Sequence, residues 1–104
     1  MLSSLRARSL LLMFALGTAL LGCAGAPVQE MSNARQAIKA SREAGAVQVA
    51  PQVMSEAQSL LERAELNLQR RAYGDARRDA VAARTKATEA MGAVQLKSDT
   101  NGSS

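Results

Sequence analysis

Small and apolar residues recur every three or four positions over most of the chain, which is the spacing of one face of an α-helix. Three stretches carry this pattern, and we predict helices over about residues 29–44, 51–71 and 75–96. The pattern predicts an all-α fold: a short antiparallel three-helix bundle, in which a helical hairpin follows a first helix, with an alanine-rich, coiled-coil-like seam. The predicted inward-facing residues are Met31, Ala34, Ile38 and Ser41, then Met54, Ala57, Leu61, Ala64 and Leu68, then Tyr73, Ala76, Ala80, Ala83, Ala87, Ala90 and Val94.

Short breaks separate the helical stretches. Gly45 is a typical residue at the C-terminal end of a helix, and Pro51 is tolerated in the first turn of the next one. Asp75 suits the N-cap position of the third helix. Residues 97–104 are polar and have nothing to bury, so we expect a disordered tail. The helical domain is thereby predicted over residues 29–96, behind a tether of residues 23–28.

The first 22 residues have the pattern of a signal peptide. Two arginines precede an apolar run of about 13 residues, whereas a membrane-spanning helix needs about 20. We therefore expect residues 1–22 to be removed. The small residues at the end of the run also fit an ordinary secretory signal, in which case Cys23 would be incidental.

The apolar run ends in Leu20-Leu21-Gly22-Cys23, which resembles the bacterial lipobox. The resemblance implies cleavage between Gly22 and Cys23, a diacylglycerol thioether on the Cys23 sulfur, and acylation of its new amino group. Several acyl chains anchor a protein stably without a spanning segment. An aspartate directly after the cysteine retains lipoproteins of this type in the inner membrane. Ala24 stands there, so the resemblance favours the periplasmic face of the outer membrane.

Composition leaves little room for catalysis or for a cofactor other than the lipid on Cys23. The 104 residues include no His, one Cys and 2% aromatic residues. The net charge of +4 falls by half once Arg6 and Arg8 are removed with the signal peptide. His is absent, Cys23 is committed to the lipid, and we interpret Glu62 and Glu65, the only close acid pair on one helix, as a solvated face, so no typical set of metal ligands is present. The residues also offer no phosphate-binding glycine loop and no aromatic platform for nucleic acid. We expect no enzyme activity, metal site, nucleic acid or small-molecule substrate.

The order of elements in the predicted helical domain resembles the small helical bacterial lipoproteins of domain of unknown function 4398. The resemblance covers roughly residues 28–94 and implies a helical envelope lipoprotein with no assigned activity. The segments that carry it are Ala34-Arg35-Gln36-Ala37-Ile38, Ala44-Gly45-Ala46, Ala50-Pro51, the leucine-rich second helix and the Tyr73-Gly74-Asp75 turn with the alanine ladder after it.

Two arginine pairs, Arg70-Arg71 and Arg77-Arg78, flank Tyr73 at the second turn. Arginine forks match phosphate groups bidentately, so the cluster is a candidate contact for anionic lipid or lipopolysaccharide. The alternative is that these arginines simply solvate two helix ends and complement a helix dipole. Because short connections make neighbouring helices antiparallel, the cluster is predicted to lie at the end where the first helix begins, facing the membrane.

Taken together, the sequence predicts a non-enzymatic envelope lipoprotein that acts as a structural or accessory protein through helix–helix contacts. We expect self-association or a helical envelope partner, because an alanine-rich core removes little apolar area from water. The alternative function is a module that associates with anionic lipid, lipopolysaccharide or glycan through the arginine cluster.

Overall fold

A computed structural model describes residues 25–102 of the chain. These residues form four helices and contain no strand, which confirms the all-α class for this part of the chain. The helices are α1 (Val28–Glu43), α2 (Ala46–Val49), α3 (Pro51–Gln69) and α4 (Tyr73–Gly102). The three predicted helices correspond to α1, α3 and α4. The single turn α2 occupies a segment that the sequence pattern assigns to a connector.

Gly45 and Pro51 take their predicted positions in the break between α1 and α3. Gly45 has a positive φ of 90°, and its N–H donates to the Arg42 carbonyl at 3.1 Å. Glycine adopts this left-handed conformation without a steric cost, so it ends α1 and lets α2 begin at once. Pro51 lies in the first turn of α3, where its missing N–H breaks no helical hydrogen bond.

The predicted inward face is confirmed for most of its residues. All four of its positions in α1 are buried, as are the first four in α3 and its five alanines in α4. Leu68, Tyr73 and Val94 are only partly buried. Nine of the 13 residues that form the buried hydrophobic core of residues 25–102 are alanines, so the helices approach one another closely over small side chains. The larger members are Met31, Ile38, Met54 and Leu61.

Ion pairs show which parts of the helices meet. Arg63 and Glu56 on α3 pair with Asp79 and Lys86 on α4, at 2.8 and 3.1 Å. On α1, Arg35 pairs with Glu65 of α3 at 3.4 Å.

Two predicted boundaries of the last helix are wrong. The helix begins at Tyr73, so Asp75 lies in its first turn rather than at the N-cap. It also continues to Gly102, beyond the predicted end at Leu96 and into the segment 97–104 that we expected to be disordered. The segment contains no proline to stop the helix, and the Thr100 hydroxyl donates to the Leu96 carbonyl at 2.8 Å. Residues 95–102 are all exposed, so local helical bonding extends α4 where no tertiary packing does.

Candidate functional site

The turn between α3 and α4 has a defined hydrogen-bonding pattern. The N–H of Arg71 donates to the Leu68 carbonyl at 3.0 Å, and the N–H of Ala72 donates to the Asn67 carbonyl at 2.8 Å. These two bonds form a Schellman motif, in which the residue after the C-cap adopts the left-handed conformation. That residue is Arg71, with a φ of 62°, and it is the only non-glycine residue with a positive φ in the described chain. The motif leads directly into α4 at Tyr73.

The four predicted arginines do not share one environment. Arg70 is the C-cap of α3, and both it and Arg71 are exposed. Within residues 25–102 neither guanidinium forms an ion pair or a hydrogen bond. Arg78 is also exposed and pairs with Asp75 one turn earlier in the same helix. Tyr73 is half-buried at the first position of α4, between the two arginine pairs.

Arg77 connects the turn to the beginning of α1. Its Nε lies 3.3 Å from Glu30 Oε1, and its Nη2 lies 3.5 Å from the carbonyl oxygen of Gly25. The first described residues of the chain and the α3–α4 turn are therefore at the same end of the molecule. We call this region, made of the turn, residues 73–78 of α4 and the N-terminal end of α1, the turn end.

The turn end carries the whole surplus of positive charge in the described chain. The sequence has 13 basic and 9 acidic residues, and two of the basic ones, Arg6 and Arg8, precede residue 25. That leaves a surplus of two positive charges over residues 25–102. The four arginines of the turn end face two acids, Glu30 and Asp75, so the surplus there is also two. Charges over the rest of the described chain balance.

Sequence reasoning missed a polar cluster beside the turn end. Asp79 is buried on α4, where its Oδ1 accepts a hydrogen bond from Arg63 Nη2 at 2.8 Å and its Oδ2 accepts one from Asn67 Nδ2 at 2.9 Å. The hydrogen bond from Arg63 holds the pKa of the Asp79 carboxyl below its usual range, against the opposing effect of burial. Both carboxylate oxygens thus have hydrogen-bond partners on α3, and the contact joins α3 to α4. We interpret it as a structural contact.

Ser41 is a second buried polar residue that the periodicity placed correctly without predicting its bond. Its hydroxyl donates to the backbone carbonyl of Ala87 at 2.7 Å, and the side chain is 1% exposed. This bond joins α1 to α4 at the middle of the seam. The sequence could have predicted this bond, because Ser41 lies at a predicted core position and a buried hydroxyl requires a hydrogen-bond partner.

A shallow groove of about 330 Å³ lies between α1 and α4. It is lined by Glu30 and Asn33 on one side and by Val81, Arg84, Thr85 and Thr88 on the other. Both threonine hydroxyls donate to carbonyls of their own helix, at 3.0 and 2.9 Å. Glu30 pairs with Arg77 rather than with Arg84 across the groove.

Two further features are absent from residues 25–102. No group of three or more His, Cys, Asp or Glu side chains is placed to hold a metal ion there. None of the helices in this range combines the length and apolar character that crossing a bilayer requires. The predicted cleavage and lipidation residues, Gly22 and Cys23, lie outside the described residues.

Comparison with known proteins adds no relative. No family model, curated protein or solved structure matches the chain. The resemblance to the lipoproteins of domain of unknown function 4398 therefore stays a prediction from the motifs in the sequence.

Proposed function

We propose that the chain is a lipid-anchored protein of the bacterial cell envelope, whose helical body acts through helix–helix contacts rather than by catalysis. The observation that carries the proposal is the sequence Leu20-Leu21-Gly22-Cys23 at the end of an apolar run preceded by arginines. In this proposal residues 1–22 are removed, Cys23 carries the lipid, and Ala24 directs the protein to the periplasmic face of the outer membrane.

The helical body is, in this proposal, an antiparallel three-helix bundle with α2 as a turn between its first two helices. Support comes from the order of the contacts. Residues 35 and 42 of α1 contact residues 65 and 58 of α3, in reverse order. Residues 63 and 56 of α3 contact residues 79 and 86 of α4, again in reverse order. The first and third long helices then point the same way, and the short connections suit this arrangement.

The thin core supports a role in assembly. Alanine contributes little apolar area, and a bundle of this size gains only a few kcal/mol, about 3–5, from its core. Leu66 and Val81 remain 42% and 50% exposed. A second copy or a helical envelope partner would cover such residues and add the missing burial. We propose self-association, and expect the thermal unfolding midpoint to rise with protein concentration. A monomer in sedimentation, with a concentration-independent midpoint, contradicts self-association.

Metabolic labelling tests the anchor. Cells that express the full chain are fed an alkyne analogue of palmitate, and we expect label on the wild type and none on Cys23→Ser. Cys23 is the only cysteine in the sequence, so no other thiol competes. Ser32→Ala, a hydroxyl change within α1, is the matched control and should label like the wild type. Equal labelling of wild type and Cys23→Ser contradicts lipidation.

Membrane fractionation tests the sorting step separately. Ala24→Asp is expected to move the labelled protein from the outer-membrane to the inner-membrane fraction, while Ala24→Ser leaves it in place. Identical fractionation of both variants contradicts the assignment to the outer membrane but leaves the lipid anchor intact.

A further inference from the structure

The turn end lies close to the proposed anchor along the chain. Gly25, whose carbonyl oxygen accepts from Arg77, is two residues from Cys23. Two residues span at most about 7 Å when fully extended. A lipid on Cys23 therefore holds Gly25 within about 7 Å of the headgroup region, which is less than the Debye length of about 8 Å at physiological ionic strength. Because Arg77 joins Gly25 to the turn end, the anchor places the turn end next to the membrane surface.

We propose that the turn end is a docking surface for the anionic phospholipid headgroups of the leaflet in which Cys23 is anchored. The inference rests on the proposed lipid anchor and specifies its partner and geometry. The groups that face the headgroups are Arg70, Arg71 and Arg78, with Tyr73 and Val28 as apolar or amphipathic contacts.

Charge complementarity favours a phosphate-rich surface as the occupant. The whole positive surplus of the described chain is concentrated here, and Arg70 and Arg71 are exposed without an ion pair among the described residues. Guanidinium groups bind phosphate oxygens bidentately. Val28, the first residue of α1, is 71% exposed at the same end of the molecule, and Tyr73 has an apolar ring with a polar tip. This combination suits the boundary between headgroups and acyl chains.

The backbone at Arg71 supports the same conclusion independently. The position after the C-cap in a Schellman motif is usually glycine, because a side chain there is sterically disfavoured. Arg71 has a φ of 62° and no side-chain partner within residues 25–102. Fold stability therefore does not account for an arginine at this position, whereas contact of its guanidinium with a phosphate outside the protein does.

Docking in this way orients the molecule. α4 begins at the turn end and has 30 residues, so its other end lies about 45 Å away at 1.5 Å per residue. The bundle then stands upright on the leaflet, with Leu96 about 35 Å from Tyr73 along the helix.

The fluorescence of Tyr73 can report how close the turn end lies to the membrane. Tyr73 is the only tyrosine, and there is no tryptophan. The full chain, purified from membranes of expressing cells, is reconstituted into phosphatidylcholine vesicles with or without phosphatidylglycerol, with a nitroxide quencher on the headgroup. We expect quenching of Tyr73 emission that is stronger with phosphatidylglycerol than without it, and this increase should weaken as salt is added. A chain with Tyr73→Phe and Leu96→Tyr, which moves the fluorophore along α4, should be quenched little.

Paired substitutions test the arginines. A basic residue near an anionic surface favours the bound state about fivefold, so Arg70→Gln with Arg71→Gln should lower the docked-to-undocked ratio about 30-fold. The matched control is Arg42→Gln with Lys97→Gln, two exposed basic residues away from the turn end, which should leave quenching unchanged. Arg71→Gly should weaken quenching while raising the thermal midpoint, which separates loss of docking from loss of folding.

Mass spectrometry of the same preparation separates this inference from the proposed function. If Cys23 carries no lipid, the proposed anchor and the proposed docking surface are both refuted. If Cys23 is lipidated but quenching ignores phosphatidylglycerol, salt and the Arg70/Arg71 variant, the docking surface is overturned and the anchor stands. Equal quenching of tyrosine at positions 73 and 96 also overturns it, because the bundle then lies flat.

Discussion

Replacing Asp79 by asparagine removes the charge from the buried polar contact between α3 and α4. The carboxylate accepts hydrogen bonds from Arg63 at 2.8 Å and from Asn67 at 2.9 Å, and an amide has only one oxygen to accept them. A hydrogen bond to a charged group contributes about 1.5–3 kcal/mol, and solvent reduces this because the Arg63 side chain is 63% exposed. We therefore expect Asp79→Asn to lower the free energy of unfolding by about 1–2 kcal/mol near pH 7.

The effect should depend on pH with a defined sign. The hydrogen bond from Arg63 holds the folded-state pKa of Asp79 below its ordinary value. The stabilisation is therefore fully present above the unfolded-state pKa of about 3.9 and is lost as pH falls through the lower folded-state pKa. As pH falls through the folded-state pKa, the difference between wild type and Asp79→Asn should shrink, because both side chains become neutral.

Thermal unfolding followed by far-UV circular dichroism measures both effects, with sucrose present throughout to keep the bundle folded in acid. A loss of 1 kcal/mol lowers the midpoint of a domain of this size by about 4–8 °C. Glu89→Gln is the control, because Glu89 forms an exposed pair with Lys86 on the same helix and should change stability by less than about 0.5 kcal/mol. An unchanged midpoint for Asp79→Asn at neutral pH, or an undiminished difference in acid, refutes the reasoning.

The same assay checks three further substitutions. Ala34→Leu should lower the free energy of unfolding by about 1–3 kcal/mol, because the residue is 0% exposed and a larger side chain does not fit. Its control, Ala40→Leu on the exposed face of α1, should change the free energy by less than about 0.5 kcal/mol. Similar free-energy changes for the two variants would show that the seam is not tightly packed. Ser41→Ala should cost about 1 kcal/mol by removing the hydrogen bond to Ala87, and a neutral result would show that this bond contributes nothing. Arg71→Gly should raise the free energy of unfolding by about 0.5–1 kcal/mol, and a decrease would show that the left-handed arginine is not strained.

The seam could be predicted from the sequence because burial follows spacing there. Met31, Ala34, Ile38 and Ser41 recur at helical intervals, and all four are buried. The end of α4 could not be predicted from burial, because nothing packs on residues 95–102 and local hydrogen bonds alone extend the helix. A pattern of apolar residues reports where a helix packs, and it does not report how far an exposed helix continues.

The candidate site was predictable in its residues and not in its contacts. Arg70 and Arg71 adjoin Arg77 and Arg78 in sequence, so spacing alone made them one cluster. The structure pairs Arg77 with Glu30, which is 47 positions away and follows no local rule.

The alanine seam has a consequence for how the helices are held in register. The buried face of α4 presents Ala76, Ala80, Ala83, Ala87 and Ala90, so sliding α4 by one helical turn replaces one methyl group by another. The Ser41 hydroxyl discriminates little, since its acceptor is a backbone carbonyl and the helix offers another one turn along. Asp79 is the one buried residue of α4 that is not an alanine, and only one alignment brings it to Arg63 and Asn67. The Asp79 contact thus selects a single alignment from a ladder of nearly equivalent ones, as a buried polar residue does in a coiled coil.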